Sequence, residues 1–345
     1  MQLGHVVITQ TPAPSAKPAQ KNTDQTVRAT AARADYRADT QLLLLSGSPQ
    51  VSENGMLVAA PQITLSRASG DATASGGVKG SYQQDANAVP VHVVADHGEL
   101  KKAEQRGIFY GSAVKDARMW QDASQVEAPV LDLEQGPQRL TARAAETGAK
   151  SSGPVVHTVL VSAASPTSSS PNPKPGTAGT QSNVVRVASR LMVYSDATRQ
   201  AVFSGRVRAE NADGTIQSQQ ATVTLQPANQ AAPVSAGGSA GAAAGSGGAA
   251  AGMLAGKVQQ IVAHGQVVLD QTGRHGTGEQ LVYNAMDGNY VLTGTPGSPP
   301  KITDAAQGTV TGASLLFHAA DDSVVVSSEA GSNRQKVRTD THVKQ

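Results

Sequence analysis

Few residue patterns in this sequence have the types and spacing that catalysis requires. Gly237-Gly-Ser-Ala-Gly241 has the spacing of a nucleophilic serine elbow, a motif that needs a strand before the serine and a helix after it. The match lies inside a tract of Gly, Ala and Ser, where chance explains it. Gly256-Lys257 is followed by valine and has no glycine five positions earlier, so it does not form a phosphate-binding loop.

The charged and imidazole side chains form no recognisable metal or acid–base cluster. The 8 histidines include no pair at positions i and i+4 and no tight group, which are the arrangements that zinc sites favour. His92, Asp96 and His97 come closest, but a solvated strand end explains them. Asp287 adjoins glycine in a turn-like context, which is ordinary for a carboxylate. The sequence therefore predicts no catalytic residue, no metal site and no cofactor, and a protein that is not an enzyme.

The composition argues against further classes of function and indicates a mainly β protein. The formal net charge is only +2 and Lys and Arg form no run, so the basic face that nucleic-acid binding requires is missing. There are 0 cysteines, which excludes disulfides and thiolate ligands. Aromatic residues make up 3% of the chain, while 35 glycines and 18 prolines favour short strands joined by turns. No apolar run is long enough to span a bilayer as a helix.

One sequence pattern, which we call the repeated phrase, occurs four times along the chain and predicts the strands that position the other residues. In each copy a tyrosine or leucine stands eleven positions before a glycine, and a small residue stands five positions before the tyrosine or leucine. The copies are Ala31, Tyr36 and Gly47; Ala95, Leu100 and Gly111; Ser189, Tyr194 and Gly205; and Gly278, Tyr283 and Gly294. Such self-similarity is typical of stacked repeats. Each copy predicts strand, glycine turn, strand, short loop and strand, with the small residue where backbones approach closely.

The repeated phrase resembles a known family. The pattern small-x4-Tyr-x8-Leu/Phe-x-Gly, followed by Val/Ile-x-small and accompanied by a strand such as Ala263-His-Gly-Gln-Val267, is similar to the OstA-like domain (LptA/LptC) of lipopolysaccharide transport. Residues 278–326 carry the resemblance best. It implies an all-β fold, a repeated open β-jellyroll in which a twisted antiparallel sheet is folded over. Two long inserts that we predict to be disordered interrupt the repeats.

The resemblance also implies a function, a set of partners and a site. The implied function is a non-enzymatic module that binds lipopolysaccharide through the lipid A acyl chains and carries or bridges it across the periplasm to the outer membrane. Its edge strands would pair with other Lpt-type β-jellyroll proteins or with a second copy of the chain. The implied lipid-binding groove is lined by Tyr36, Leu45, Leu65, Phe109, Leu133, Tyr194, Phe203, Val223, Tyr283, Leu292 and Phe317. The alternative for each of them is packing against its neighbours without touching a ligand.

The repeats and the low-complexity tracts divide the chain. The predicted segments are OstA-like repeats one and two over 1–147, a Ser/Pro-rich insert over 148–183, repeat three over 184–225, a Gly/Ala/Ser-rich linker over 226–256, repeat four over 257–330 and a polar tail over 331–345. Met1 to Gln10 has neither a basic nor a long apolar region of the kind that export signals contain. Gly4 to Thr11 resembles Gly265 to Thr272, so we expect the chain to begin partway through a repeat. Periplasmic localisation is implied by the family resemblance alone.

Two functions of different kinds fit the repeats. The first is lipid transport, and the second is a structural β-solenoid or surface-fibre protein that self-associates through repeat stacking. The lining of the interior distinguishes them. A closed solenoid fills its interior with close-packed residues, whereas an open groove tolerates small ones such as Ala263 and Gly265.

Overall fold

The computed structural model describes residues 2–10, 27–53, 55–83, 89–145, 155–162, 183–212, 214–226, 253–295, 297–305, 308–318, 324–327 and 338–340. In these residues the strands dominate, and helix is confined to one turn at 253–255. The all-β prediction is confirmed. Residues 11–26 and most of the two low-complexity tracts lie outside the described residues. No helix in the described part of the chain is long and apolar enough to cross a membrane.

The chain divides into two compact units. The first comprises Met1–Gly148, Ser195–Ala197 and Ser235–Leu254, and the second comprises Ala149–Tyr194, Thr198–Val234 and Ala255–Gln345. The strands of the first unit are β1 (Gln2–Gln10), β2 (Val27–Arg37), β3 (Leu42–Ser46), β4 (Gln50–Glu53), β5 (Met56–Ala59), β6 (Gln62–Ser66), β7 (Ala72–Tyr82), β8 (Val91–Lys101), β9 (Arg106–Tyr110), β10 (Ala117–Gln121), β11 (Ser124–Ala128), β12 (Val130–Glu134) and β13 (Arg139–Arg143).

Three long strands of the first unit, β2, β7 and β8, each pair with two short strands in succession. In β2, Arg28–Thr30 pair with β4, whereas Arg33–Arg37 pair with β3. In β8, the first half pairs with β10 and the second half with β9. In β7, the register shifts between Ser75 and Val78, where the strand passes from β6 to β5. The antiparallel sheet is therefore folded along one line, which we call the crease.

The crease separates two layers of the same sheet. The first layer contains β3, β6, β9, β12, β13 and the adjoining halves of β2, β7 and β8. The second layer contains β4, β5, β10, β11 and the remaining halves of the long strands. β1 crosses the crease as well, because Gln2 and Leu3 pair with the first-layer half of β2 and the rest of β1 pairs with the second-layer half. This folded antiparallel sheet is the architecture that the family resemblance implies.

The second unit repeats the plan with longer strands. Its strands are β14 (Val156–Ser162), β15 (Asn183–Ser189), β16 (Leu191–Ser195), β17 (Gln200–Asn211), β18 (Gly214–Gln226), β19 (Lys257–Gln271), β20 (Arg274–Asn284), β21 (Asn289–Thr293), β22 (Lys301–Asp304), β23 (Gly308–Thr311), β24 (Ser314–His318), β25 (Val324–Ser327) and β26 (Arg338–Asp340). β14 lies within the segment over 148–183 that was predicted to be a disordered insert, and it pairs with β15, so the described part of that segment is ordered. β26, in the predicted polar tail, pairs with β23.

Two glycines show why the crease needs this residue. Gly205 has a φ of +82°, and a Cβ at this position would lie 2.9 Å from the Cβ of Arg190. Gly265 has a φ of +80°, and its Cβ would lie 2.9 Å from the side-chain oxygen of Gln219. The left-handed region costs other residues about 1–2 kcal/mol. Both sites coincide with register shifts, in β17 and in β19, so glycine supplies the bulge conformation and the space together.

The alternation of buried residues changes phase at the crease in some strands. In β18, Ile216 and Ser218 are buried before the crease, and Ala221 and Val223 are buried after it. In β19 the glycine bulge keeps the phase, so that Ile261, Ala263, Val267 and Leu269 are all buried, as their alternation predicts. The interior is therefore apolar on both sides of the crease, although β18 breaks the two-residue period at the crease and β19 does not.

Candidate functional site

The first unit contains an open groove between its two layers. The cavity has a volume of about 910 Å³ and is lined by residues of β1 to β10, β12 and the turns between them. Both layers supply its walls, mainly with aliphatic and small side chains. An interior of this size falls in the range of ligand pockets, which occupy roughly 300–1,000 Å³.

One wall of the groove is a cross-strand row in the first layer. The strand register places these residues side by side in the order Tyr36, Leu43, Leu65, Ala72, Leu100, Gly107 and Leu133. All seven line the cavity. Because side chains at paired positions project to the same face, the row forms one apolar stripe that runs perpendicular to the strands.

The opposite wall is an equivalent row in the second layer. The register gives the order Ile8, Ala29, Val51, Val58, Gly80, Val93 and Met119, and all seven line the cavity. Small residues recur in both rows, at Ala72 and Gly107 in one and at Ala29 and Gly80 in the other. They leave the space that larger side chains would fill.

The predicted groove residues of the first unit fall into two groups. Tyr36, Leu65, Phe109 and Leu133 line the cavity, and Tyr36 is 47% exposed there. Leu45 is fully buried at 0% exposure in the neighbouring row, beside Ala34 and Ile63. Leu45 lies on the same face of β3 as Leu43, but it is covered by its neighbours and does not line the cavity.

The predicted residues of the second unit are all buried. Tyr194, Phe203, Val223, Tyr283, Leu292 and Phe317 have exposures between 0% and 7%. The row equivalent to the Tyr36 row runs through Val223, Ile261, Tyr283, Tyr290 and Phe317. The rings of Tyr283 and Tyr290 are 4.6 Å apart, and those of Tyr290 and Phe317 are 5.0 Å apart. Aromatic rings fill this part of the interior.

Sequence reasoning missed most of the second-layer wall and several members of the first. The missed lining residues include Leu43, Val51, Val58, Ile63, Val93, Leu100 and Met119. Their signal was the two-residue alternation within each short strand, for example in Ile63 and Leu65. The repeated phrase registers only a few positions in each copy, so it pointed to one row and passed over its partner.

Two rows of turns border the groove. The first rim is formed by the turns β2–β3, β6–β7, β8–β9 and β12–β13, and its charged lining residues are Arg67, Lys101, Lys102, Arg106 and Glu134. The second rim is formed by the turn β4–β5 and by the end of β7 and the start of β8. Among the described residues that line the second rim, Glu53 is the one that carries a full charge, and none is Lys or Arg.

Some of the charges at the first rim are paired. The Nε of Arg106 donates to Asp132 at 2.8 Å, and Glu104 lies 3.5 Å away. The hydrogen bond to Asp132, opposed by desolvation, raises the pKa of the Arg106 guanidinium above its usual value. Glu134 accepts a hydrogen bond from Arg139 at 2.5 Å. Arg106 and Glu134 are thus each held by a partner of opposite charge.

The imidazole groups near the groove pack against aromatic rings. The ring of His92 lies 5.3 Å from that of Trp120, and the ring of His97 lies 4.4 Å from that of Tyr110. Asp96 is 3.7 Å from His97. Within the described residues, no group of three or more His, Cys, Asp or Glu side chains could hold a common metal ion.

The sequence and the structure were compared with known proteins. Residues 186–321 match the family model described as LptA/(LptD N-terminal domain) LPS transport protein. Residues 186–321 are an LptA-like domain. This confirms the family resemblance for that segment, and it makes the LptA-like domain a module related to lipopolysaccharide transport.

Solved structures also resemble the chain. The crystal structure of LptH from Pseudomonas aeruginosa, described as the LptA homologous periplasmic component of the conserved lipopolysaccharide transport device, aligns with a TM-score of 0.33 and 14% sequence identity. The alignment covers 37% of this chain and 89% of that one. A search of curated protein sequences finds no match to the chain.

Proposed function

We propose that the protein is a non-enzymatic lipopolysaccharide-binding module that holds acyl chains in the groove of its first unit. The observation that carries this proposal is the pair of facing apolar rows. One runs from Tyr36 to Leu133 and the other from Ile8 to Met119, and together they border an open cavity of about 910 Å³. The LptA-like domain at residues 186–321 supports lipopolysaccharide as the source of those chains.

The chemistry of the lining suits an acyl chain. Transfer of a methylene group from water into an apolar environment contributes about 0.8 kcal/mol, so ten buried methylenes contribute roughly 8 kcal/mol before ordering costs. Neither row contains a charged side chain at its centre, so a chain can lie across several strands without desolvating a charge. The groove therefore needs no residue specific for one acyl length.

In this proposal the module carries or bridges lipopolysaccharide across the periplasm to the outer membrane. β1 pairs with β2 along its length, and no second partner strand for β1 is present among the described residues. An edge strand of this kind can add a strand of another Lpt-type module, or of a second copy, through main-chain hydrogen bonds. Pairing at β1 would join the groove to that of its neighbour.

Photocrosslinking tests the lipid-binding proposal. A photoreactive amino acid is placed at Leu43 or Leu65, which line the groove, and at their neighbours Leu44 and Thr64, which have the opposite orientation on the same strands. Adducts with lipopolysaccharide at the first pair alone are expected. Equal labelling of both pairs, or no labelling of either, would count against an acyl-chain groove.

A structural role in repeat stacking has one observation in its favour, the filled aromatic interior of the second unit. The same crosslinking experiment separates the two functions when it includes Phe203, Tyr283 and Leu292. We expect no lipid adducts at these buried positions. Failure of lipid labelling in both units, together with concentration-dependent assembly in analytical ultracentrifugation, would favour the stacking protein.

A further inference from the structure

Two cations stand at the first rim on the groove side of the sheet. Ile63 and Leu65 of β6 line the groove, and Arg67 is the next residue in the same two-residue period, directly after the strand. Lys102 follows Gly98 and Leu100 in the same way at the end of β8. Arg67 and Lys102 line the cavity themselves. The two turns that carry them are also adjacent, because a Cβ added at Gly70 would lie 2.8 Å from the Cδ of Lys102.

Neither cation is neutralised by a carboxylate. In the described part of the chain, no Asp or Glu forms an ion pair with the side chain of Arg67 or Lys102, in contrast to Arg106 and its partner Asp132. The Arg67 guanidinium lies 5.7 Å from the centre of the Tyr36 ring. Asp71 is close, but its carboxylate accepts a hydrogen bond from the backbone N–H of Lys102 at 3.0 Å. Both positive charges are therefore available to a ligand.

The charge is distributed unevenly across the opening. The first rim presents Arg67 and Lys102, whereas the described residues of the second rim contribute the carboxylate of Glu53 and no Lys or Arg. An amphiphile whose apolar part fills the groove must leave its polar part at a rim, and an anionic head is favoured at the first and disfavoured at the second. The rims thus assign an orientation to the ligand.

We propose that Arg67 and Lys102 bind the phosphate group of a lipid head while the acyl chains of the same molecule occupy the groove. The inference rests on the proposed function and adds to it the place and orientation of the head group. Arginine presents a planar fork of donors that matches phosphate oxygens, and lysine adds a point charge. The Tyr36 ring supports the guanidinium from the groove side.

Displacement of a neutral apolar probe, N-phenylnaphthylamine, from the full-length protein tests the inference. The competing ligands are phosphorylated lipid A and the same lipid after enzymatic removal of its phosphates. The test variant is Arg67→Gln with Lys102→Gln. The matched control is Arg28→Gln with Lys79→Gln, which removes the same charge from two exposed positions that do not line the groove.

We expect the Arg67/Lys102 variant to weaken binding of phosphorylated lipid A roughly tenfold, a change typical of one lost charge-assisted contact. Binding of the dephosphorylated lipid should stay within about twofold of the wild type, and the control variant should bind both lipids normally.

Equal loss for both lipids, no loss for either, or the same loss in the control variant would overturn the head-group site. Displacement of the probe by inorganic phosphate at the same concentration would also overturn it, because the site would then recognise a free anion. If the wild type binds neither the probe nor either lipid, the proposed function itself fails. Probe binding without phosphate selectivity contradicts this inference alone.

Discussion

The rings of Tyr290 and Phe317 lie face to face, with centroids 5.0 Å apart and planes within 2° of parallel. The corresponding positions in the first unit, Leu43 and Leu65, are paired in the same register but carry aliphatic side chains. The two units share this strand pairing, but the aromatic pair fills the interior of the second unit, whereas the leucine pair leaves the groove of the first unit open.

Truncation of Phe317 to alanine should destabilise the second unit by about 3–5 kcal/mol, because a fully buried ring leaves a cavity that its neighbours cannot refill. Urea unfolding followed by circular dichroism measures the change. Leu316→Ala, at the next and only half-buried position, is the matched control and should cost less than about 1 kcal/mol. Similar losses for both variants would contradict the role of the stack.

Transfer of the stack into the first unit should close the groove. The double change Leu43→Tyr with Leu65→Phe introduces larger side chains at two lining positions and should abolish displacement of N-phenylnaphthylamine by lipid A while the protein remains folded. The control Leu44→Tyr, on the other face of β3, should leave binding unchanged. Normal lipid binding by the double variant would show that the acyl chains lie elsewhere.

Two glycines with positive φ, one at the crease and one in the turn between β19 and β20, allow the effect of backbone strain to be separated from that of crowding. At Gly205 the backbone φ is +82°, and the Cβ of an alanine would lie 2.9 Å from the Cβ of Arg190. At Gly273 φ is similar, +76°, but the Cβ of an alanine would have no atom within 4 Å. We expect Gly273→Ala to cost about 1–2 kcal/mol from the left-handed backbone alone and Gly205→Ala to cost more. Thermal unfolding of both variants measures the two losses in stability. Equal losses would mean that the contact with Arg190 has no energetic effect.

The Arg106–Asp132 pair should contribute to stability because Asp132 is only 5% exposed. Asp132→Asn should destabilise the first unit by about 1–2 kcal/mol, a range reduced for the partly exposed arginine. Glu127→Gln, whose partner Arg118 is 3.8 Å away at the surface, should change stability by less than about 0.5 kcal/mol in the same urea titration. A smaller loss for Asp132→Asn than for Glu127→Gln would refute this ranking.

The raised pKa of Arg106 also determines how the stabilisation by the Arg106–Asp132 pair depends on pH. A group whose pKa is raised on folding stabilises the folded state below its unfolded pKa and loses that contribution only as the pH rises through the folded value. The pKa of arginine already lies far above neutrality. Urea titrations at pH 7 and pH 9 should therefore show the same difference between Asp132→Asn and the wild type. A difference that shrinks at pH 9 would contradict the pairing.

The repeats in the sequence predicted short strands joined at glycines, and the family resemblance implied that the sheet is folded over. Gly205 lies in the bulge of β17 and Gly294 directly follows β21. The shared spacing therefore marks where a strand is interrupted, although φ is positive at Gly205 and not at Gly294. The close backbone approach predicted at Gly278 is also observed, since a Cβ there would lie 2.8 Å from the backbone oxygen of Thr293. These features are local, so a single chain contains the information.

The difference between the two units could not be predicted in the same way. Tyr36 and Tyr283 occupy equivalent positions in the repeated phrase, yet one is 47% exposed and the other 7%. Their burial depends on the residues that pair with them across the sheet, Leu43 in one case and Tyr290 in the other. Arg67 was missed for a related reason, because its place at the groove follows from the fold of the sheet and not from any motif.

The crease has a consequence for how such a protein changes over evolutionary time. The long strands β2, β7 and β8 cross the crease in the same manner, so a duplicated repeat can be inserted in the gene without redesign of the residues on either side. Each added strand would lengthen the groove by about 4.8 Å, the spacing between neighbouring strands. Capacity for longer or more numerous lipid tails can therefore grow by simple copying, while substitutions such as leucine to tyrosine decide which stretches stay open.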